Sequence, residues 1–387
     1  MRAELLPVHR RVAAELLRRH GWDADRAESA TDGLGPVAIH VTGVPAPVLE
    51  ALVGWNLKMG LDLLTGDDWV LLAGTAARVG ALARPWTIPP ALAELATAVG
   101  LALPAPPPAA WATARGAIPL DRPVIAGIVN VTPDSFSDGG AHATTDAAVA
   151  HALALVEQGA TMLDVGGEST RPGATPVPAE EELRRVVPVI EALGRRTAVP
   201  LSVDTTKAAV ARAALDAGAW AVNDVSGLRF DPAMGATVAA AGAGVVLMHS
   251  RGAFPELASY AHAAYPDGVA ATVAGELAAA AARADAAGIR AEAVALDPGF
   301  GFAKTPEQNI VLLDHLAVVA ALGRPLYVGL SRKRFLGELT GRAAAERDAA
   351  TAAACALAHD RGARLFRVHA PAAVRDALAV AHALGGP

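Results

Sequence analysis

Short apolar runs alternate with longer stretches of helical periodicity along most of this chain. Beyond residue 121, eight apolar runs predict strands, near 124–129, 161–165, 200–203, 220–222, 244–248, 293–296, 326–329 and 365–368. Helical patterns lie between these runs, and several of them end at a glycine, as helices often do. Strand and helix alternate over about 260 residues, which favours a parallel (β/α)8 TIM barrel at 121–387. A doubly wound sheet is the alternative, but it would carry a glycine-rich phosphate turn after its first strand.

Consecutive prolines interrupt the pattern before the barrel. The run Leu103-Pro104-Ala105-Pro106-Pro107-Pro108 cannot continue a helix, and it predicts a Pro/Ala-rich linker over 103–120. Residues 1–102 form a separate small α/β domain, to which the sequence assigns no role. Within it, the pattern predicts an amphipathic helix from about Ala3 to Arg19, a strand near 36–43, a helix near 47–59, a strand near 68–72 and a helix near 75–82.

Composition and charge restrict the class of partner. The chain of 387 residues is 53% hydrophobic and 19% charged, which is typical of a compact globular protein. Its formal net charge of −6 gives no general attraction to nucleic acid or anionic lipid, so small molecules are the expected partners. A single cysteine, Cys355, excludes an intramolecular disulfide framework. The N-terminus resembles neither a signal peptide nor a membrane span, so we expect a cytoplasmic protein.

Polar residues follow the predicted strands at their carboxyl ends. In chain order they are Asn130, Asp164, Asp204, Asn223 with Asp224, His249, Asp297, Ser331 with Lys333, and Arg367 with His369. In a parallel barrel all eight carboxyl ends open onto one mouth. Side chains that are far apart in the sequence are therefore expected to line a single pocket.

Two kinds of chemistry are present among these residues. Carboxylates and amides at Asp204, Asn223 and Asp297, with the ammonium of Lys333, suit a flat heterocycle that carries amino, ring N–H and carbonyl groups. A second set suits a phosphate-type anion: Asn130, Thr170, Arg171, Arg367 and His369. Either Asn130 or Asp138 offers an oxygen to a Mg²⁺ ion that also binds the phosphate.

Each of these residues also has a structural interpretation. Asp204 precedes a predicted helix and fits a helix cap, and Asn223 fits a turn. Lys333 belongs to a basic run of the kind that often forms a solvated face. His249 is interpreted as structural, because its neighbours already supply the polar groups of the ring pocket.

Four motifs, in their order along the chain, resemble those of the dihydropteroate synthase family. They are Asn130-Val131-Thr132-Pro133-Asp134-Ser135-Phe136-Ser137-Asp138-Gly139-Gly140, Gly167-Glu168-Ser169-Thr170-Arg171-Pro172-Gly173, Asp297-Pro298-Gly299-Phe300-Gly301 and Ser331-Arg332-Lys333. The resemblance covers about Pro123 to the C-terminus. It implies condensation of 6-hydroxymethyl-7,8-dihydropterin diphosphate with 4-aminobenzoate, which gives 7,8-dihydropteroate and pyrophosphate.

The same resemblance implies a role for each site residue. The pterin ring would be held by Asp204, Asn223, Met248, Asp297, Gly301 and Lys333. The diphosphate would be held by Asn130, Arg367 and His369, with Asn130 also binding Mg²⁺. The aminobenzoate site would comprise Phe136, Thr170, Arg171, Pro172, Phe302 and Ser331. Lys333, Asp204, Arg367 and Asn130 are the residues expected to carry catalysis.

Two other functions share the predicted barrel. A pterin-binding methyltransferase domain would use the same ring pocket but would have no diphosphate or aminobenzoate to hold, so the motifs at Thr170-Arg171-Pro172 and Ser331-Arg332-Lys333 count against it. A non-catalytic pterin-binding paralogue is the second alternative, raised by the additional N-terminal domain. The family resemblance also implies a homodimer.

Overall fold

The computed structural model describes residues 1–6, 16–30, 37–74, 79, 82, 88–102, 108–132, 141–169, 176–266 and 268–385. The chain divides into two compact units, Met1–Ala105 and Pro106–Pro387. Within the described ranges, none of the helices combines the length and the apolar character that crossing a bilayer requires.

The first unit contains a four-stranded antiparallel sheet in the order β1-β2-β4-β3. Its strands are β1 (Arg2–Leu6), β2 (Val37–Thr42), β3 (Asp62–Thr65) and β4 (Trp69–Gly74), and its helices include α1 (Ala24–Ala30), α2 (Ala46–Met59) and α3 (Ala93–Ala102). The prediction of a helix beginning at Ala3 is wrong, because residues 2–6 pair with β2 instead. This pairing satisfies the backbone groups that face β2 and brings Met1 and Ala3 against the core of the unit. Most of the helix predicted at 75–82 lies outside the described residues.

A β-hairpin opens the second unit and corrects the predicted extent of the linker. Strands β5 (Ala110–Thr113) and β6 (Gly116–Pro119) pair antiparallel within the stretch predicted as linker. Trp111 is fully buried, and its indole Nε1 donates to the carbonyl of Ala293 at 2.8 Å. Ile118 is buried with it among side chains of the barrel interior. The proline run favours a linker, so the sequence does not predict this hairpin. Trp111 and Ile118 are buried only because they cover the amino-terminal end of the barrel, called the barrel floor below.

Eight parallel strands form the barrel in the order β12-β11-β10-β9-β8-β7-β14-β13. Their bounds are β7 (Val124–Asn130), β8 (Met162–Gly166), β9 (Leu201–Asp204), β10 (Ala221–Asp224), β11 (Gly244–Met248), β12 (Val294–Asp297), β13 (Tyr327–Val328) and β14 (Leu365–Val368). A parallel bridge between Leu296 and Leu326 joins the two ends of the sheet. The predicted TIM barrel is confirmed, with each strand within about two residues of its predicted position.

Helices surround the strands and bury their apolar faces on them. They are α4 (Ala141–Glu157), α5 (Ala179–Gly194), α6 (Ala208–Ala217), α7 (Met234–Ala241), α8 (Val269–Ala286), α9 (Pro306–Asp314), α10 (Leu316–Ala320), α11 (Arg334–Thr340), α12 (Asp348–Asp360) and α13 (Pro371–Gly385). The buried faces of several are rich in alanine, as in α8, which lets the helices approach the sheet closely.

The barrel interior changes from apolar to polar along its axis. Near the amino ends of the strands, Trp111 packs with Ala126, Met162, Val246 and Tyr327. Toward the carboxyl ends, the buried residues include polar side chains: the carboxylates of Asp164 and Asp297, the amide of Asn223 and the hydroxyl of Ser202. Such groups are costly to bury without partners, so their clustering at one end marks a site.

Candidate active site

An ion-pair triad crosses the barrel mouth. Arg367, on β14, donates from Nε to Asp164 Oδ2 at 2.5 Å and from Nη2 to Asp204 Oδ2 at 2.8 Å. Asp164 lies on β8 and is fully buried, and Asp204 ends β9. No hydrogen bond from the described part of the chain engages the third guanidinium nitrogen, Nη1. The triad therefore fixes the guanidinium plane and leaves one nitrogen for a further acceptor.

Asp164 also organises two neighbouring polar side chains. Its Oδ1 accepts from Ser202 Oγ at 2.5 Å, and its Oδ2 accepts from Asn223 Nδ2 at 3.1 Å. With Nδ2 committed to Asp164, the orientation of the Asn223 amide is set. The buried Oδ1 of Asn223 has no hydrogen-bond partner among the described residues. A buried acceptor without a donor costs about 1–3 kcal/mol, and the N–H of a bound ligand would relieve that cost.

Asp297 is held by the loop that follows β12. Its Oδ1 accepts from the backbone N–H of Gly299 at 2.7 Å. Gly299 adopts φ +67°, and a Cβ at this position would lie 2.0 Å from the carbonyl oxygen of His249, so only glycine fits this turn. Register between β11 and β12 places Met248 beside Asp297. Met248 packs with Val225 and Phe302 in a small apolar cluster at the mouth.

Lys333, just after β13, lies on the same side of the mouth. Its Nζ is 4.3 Å from the centroid of the Phe302 ring, which is the geometry of a cation–π contact. Gly301 adopts φ +80°, and a Cβ there would lie 3.1 Å from Lys333 Cδ. The stem of Lys333 therefore needs a glycine at position 301.

Burial shifts the pKa values of the charged groups at the mouth. It lowers the pKa of Lys333 to about 8, although the charge of Asp297 opposes this shift. It raises the pKa of Asp297 to about 6, against the opposing effects of the Gly299 hydrogen bond and Lys333. Burial also raises the pKa of Asp204, with Arg367 opposing and Asp164 reinforcing the change. Although burial opposes it, the two carboxylates raise the pKa of Arg367. Groups with such perturbed pKa values are typical of functional sites.

Ser331 and His369 connect the last two strands at the mouth. Ser331 Oγ lies 2.9 Å from His369 Nδ1 and accepts from the backbone N–H of His369 at 3.2 Å. Arg332, the residue after Ser331, has φ +57°. This left-handed conformation is held by a bidentate ion pair with Asp348, at 2.8 and 3.0 Å, and by a hydrogen bond from its backbone N–H to Thr351. The loop that presents Ser331 and Lys333 is thus tied to the start of α12.

Asn130, at the carboxyl end of β7, is the residue predicted to bind metal. It lies in register with Gly166 and is partly exposed. The described residues contain no cluster of three or more His, Cys, Asp or Glu side chains able to hold a metal ion. Mg²⁺ often binds through one or two protein oxygens together with substrate phosphates, so the single amide oxygen of Asn130 fits an ion that arrives with a phosphate.

Comparison with known proteins bears on the chemistry of this mouth. The family model described as pterin binding enzyme matches residues 126–369, which is more than half of the chain and includes every strand-end group described above. This chain belongs to the pterin-binding enzyme family.

Individual relatives in the pterin-binding family are dihydropteroate synthases. The chain is 48% identical to that of Mycobacterium leprae over 262 residues, which cover 66% of this chain and 91% of the relative. It is 44% identical to that of Escherichia coli K12 over 253 residues, or 65% of this chain and 87% of the relative. The Xanthomonas albilineans enzyme solved with 4-aminobenzoic acid superimposes with a TM-score of 0.67 at 51% identity, covering 72% of this chain and 99% of that one. The same enzyme solved with 7,8-dihydropteroate gives a TM-score of 0.63 at 50% identity, covering 70% and 97%.

Most residues predicted for the site lie together at the barrel mouth. The structure places Asp204 and Arg367 in one ion pair, Met248 and Phe302 in one cluster, and Ser331 against His369. Four residues predicted for the aminobenzoate site lie outside the described residues: Phe136, Thr170, Arg171 and Pro172.

Two buried charged residues at this mouth were not assigned a role from the sequence. In the sequence, Asp164 is a residue at a strand end, and its position does not identify it as the partner of Arg367. The available signal was a carboxylate in an apolar strand, flanked by Leu163 and Val165. Lys304 is fully buried. In the sequence it is a basic residue just before Thr305, which caps α9, and this pattern is typical of an exposed helix start.

Proposed function

We infer that this chain is a dihydropteroate synthase that condenses 6-hydroxymethyl-7,8-dihydropterin diphosphate with 4-aminobenzoate. The products are 7,8-dihydropteroate and pyrophosphate. The relatives of 41–48% identity carry this name over most of their own length. That agreement favours the synthase over the methyltransferase alternative. The observation on which the proposal rests most is the Arg367–Asp164–Asp204 triad beside Asn223, Asp297 and Lys333 in one mouth.

The pterin ring is proposed to bind between Asn223, Asp297 and Lys333. Asn223 Oδ1 is an acceptor without a partner among the described residues, and the Asp297 carboxylate is a second acceptor. Together they match the amino and ring N–H groups of a pterin, while the Lys333 ammonium donates to its carbonyl or ring nitrogen. Met248 supplies an apolar surface, and Gly301 keeps the space beside Lys333 open. Asp204 contributes by holding Arg367 beside the ring.

The diphosphate is proposed to bind at Asn130, Arg367 and His369. Loss of pyrophosphate leaves a pterin methylene cation stabilised by resonance. The amine of 4-aminobenzoate then attacks this cation, and the new secondary amine loses one proton to water or to the released pyrophosphate. No side-chain nucleophile is required, so catalysis depends on orientation and on stabilising the charge of the leaving group. Arg367 can stabilise the charge of the leaving diphosphate from Nη1, because Nε and Nη2 are already held in place by the two aspartates. A fixed guanidinium needs no reorganisation as the charge develops.

Mg²⁺ is proposed as the cofactor, with Asn130 as its protein ligand. When bound, the ion would neutralise charge on the departing diphosphate. Because Asn130 is a single neutral ligand, we expect tight Mg²⁺ binding only in the presence of pyrophosphate or the pterin substrate. Calorimetric titration of Mg²⁺ with and without pyrophosphate measures this, and Asn130→Ala should remove the pyrophosphate-dependent part.

The aminobenzoate is proposed to bind beside Phe302 and Ser331, with Phe136 and Thr170-Arg171-Pro172 completing the site. Phe302 offers a ring face to the aryl group, and Lys333 lies over the same ring at 4.3 Å. The contact between Ser331 and His369 links this subsite to the diphosphate subsite. The arrangement would bring the attacking amine close to the carbon that the pyrophosphate leaves.

A homodimer and a cytoplasmic location are further proposals. Large apolar side chains stay exposed on α12 and α13, where Leu357 is 50%, Val380 63% and Leu384 83% exposed. Such an exposed surface on outer helices supports association with a second copy. Light scattering of the purified chain tests the dimer, and Val380→Asp should shift it toward monomer. The cytoplasmic proposal is supported by the single cysteine, Cys355, which is buried and free.

Pyrophosphate release is the decisive assay for the proposed reaction. It should require pterin diphosphate, 4-aminobenzoate and Mg²⁺ together, and 7,8-dihydropteroate should appear in equal amount. Lys333→Met should abolish turnover, whereas Lys58→Met in the N-terminal unit serves as the matched lysine control. Pterin binding without turnover under these conditions would indicate the non-catalytic paralogue instead.

A further inference from the structure

A second lysine, Lys304, is buried beneath the mouth. Its side chain is fully buried, and its Nζ lies within hydrogen-bond distance of three acceptors. These are the carbonyl oxygens of Gly299 at 3.0 Å and Phe302 at 3.1 Å, and His249 Nδ1 at 2.9 Å. An ammonium has three N–H donors, so each of them has a partner.

Lys304 acts as a donor toward His249, because that imidazole is neutral. Burial, together with the charge of Lys304, lowers the pKa of His249 to about 4. Its other nitrogen, Nε2, lies 3.0 Å from Glu276 Oε2, and Glu276 is also paired with Arg251. A neutral imidazole with its proton on Nε2, the nitrogen that faces Glu276, leaves Nδ1 as an acceptor. The lysine is thereby anchored to β11 and α8.

The loop that Lys304 holds is the loop that presents the ring-binding groups. Its backbone N–H at Gly299 fixes the carboxylate of Asp297, and Phe302 lies under Lys333. From the other side, Asn309 Oδ1 accepts from the N–H of Gly301 at 2.7 Å, and Asn309 Nδ2 donates to the carbonyl of Lys304. Residues 299–304 are therefore fixed from below by buried polar groups, while their upper surface forms part of the mouth.

An apolar side chain would satisfy the packing at this position but not the hydrogen bonding. Burying an ammonium is costly unless it is fully hydrogen-bonded, and burial lowers the pKa of Lys304 to about 7. Removing the ammonium would leave two loop carbonyls and one imidazole nitrogen without a donor. Burying the Lys304 ammonium therefore costs a substantial desolvation free energy, and the hydrogen bonds gained in return are made to the loop of residues 299–304 and to His249.

We propose that Lys304 is a positioning residue, which ties the carbonyls of Gly299 and Phe302 to His249 and so places Asp297 for the pterin substrate and Phe302 for 4-aminobenzoate. The proposal rests on the proposed function for the identity of these two substrates. Lys304 makes its hydrogen bonds within the protein and acts only through the loop.

Lys304→Met, which keeps the length of the side chain without its donors, tests this proposal. We expect KM for pterin diphosphate to rise about tenfold or more, and KM for 4-aminobenzoate to rise with it, because Phe302 borders the aminobenzoate subsite. Lys304→Gln, whose amide supplies two donors, should fall between Lys304→Met and the wild type. Leu193→Ala, which opens a cavity in α5 near the opposite end of the barrel, is the control for general loss of stability. It should lower the Tm and leave both KM values within twofold.

Binding of pterin-6-carboxylate, followed by fluorescence, separates this proposal from the proposed function. If the wild-type chain binds the ring but releases no pyrophosphate, the synthase function fails and the Lys304 prediction is still judged by Kd. If folded Lys304→Met binds the ring within twofold of the wild type, the proposal is overturned. A similar rise in KM for pterin diphosphate in Leu193→Ala would also overturn it. If neither lysine variant folds, Lys304 serves stability and the positioning role is withdrawn.

Discussion

Replacing Asp164 with asparagine tests the triad that organises the mouth. The amide keeps the shape of the carboxylate and can direct its oxygen toward Arg367 and Asn223, because Ser202 Oγ can rotate to accept from the new NH₂ group. What is lost is the negative charge paired with Arg367 Nε at 2.5 Å in a fully buried position. The perturbation is therefore almost purely electrostatic.

The expected cost follows from the burial of this pair. Removing one partner of a buried ion pair typically costs about 3–5 kcal/mol. Arg367 keeps its second carboxylate, Asp204, at 2.8 Å, so a cost at or below the lower limit of that range, about 2–3 kcal/mol, is expected. For a unit of this size that corresponds to a decrease in Tm of roughly 4–12 °C. Arg367 should also be held less firmly, which raises KM for pterin diphosphate.

Differential scanning calorimetry of the full chain measures the change in the barrel transition. Asp285→Asn is the matched control, because Asp285 pairs with Arg324 at 3.4 Å while 50% exposed, and exposed pairs contribute about 0–1 kcal/mol. Kinetic assays of pyrophosphate release on the same samples give the change in KM. If Asp164→Asn lowers the Tm no more than Asp285→Asn does, the triad does not hold the mouth together and the reasoning is refuted.

Three further predictions concern the mouth and the barrel floor. The pterin pocket needs Asp297 ionised and both Lys304 and Lys333 protonated, so kcat/KM for pterin diphosphate should fall below about pH 6 and, as the two lysines lose their protons, above about pH 7–8. Lys333→Arg should remove the part of the alkaline fall that is due to Lys333, and a flat profile between pH 5 and 9 would contradict this assignment. Gly301→Ala should reduce kcat/KM, because the new Cβ would lie 3.1 Å from Lys333 Cδ. Gly242→Ala is the control: it carries the same backbone strain of about 1–2 kcal/mol at φ +59° but has open space around it, so kcat/KM should not change. Trp111→Phe removes the hydrogen bond to Ala293 and part of the barrel floor, so the free energy of unfolding should fall by about 1–3 kcal/mol. The value of kcat/KM should stay within twofold of wild type, and a larger loss of kcat/KM would show that the floor and the mouth are coupled.

The sequence by itself determined the barrel and the positions of its polar strand ends. Alternating apolar runs and helical periods placed β11 and β14 correctly to the residue, because strand and helix periodicities are local properties of the chain. Convergence of the strand ends also followed, since a parallel barrel has only one carboxyl-terminal mouth. The aminobenzoate residues Thr170, Arg171 and Pro172 stay a prediction.

Only the tertiary structure decided which of these groups are paired. Arg367 and Asp164 are 203 positions apart, and their contact depends on barrel closure and strand register. Residues 2–6 became a strand because β2 offered an edge, and residues 110–119 became a hairpin because the barrel floor had to be covered. Lys304 acquired its role only through burial beneath the mouth, where an ammonium that would be solvated elsewhere must find three acceptors. Hydrogen bonding and electrostatics between distant residues depend on three-dimensional distances and on the exclusion of water, neither of which local sequence encodes.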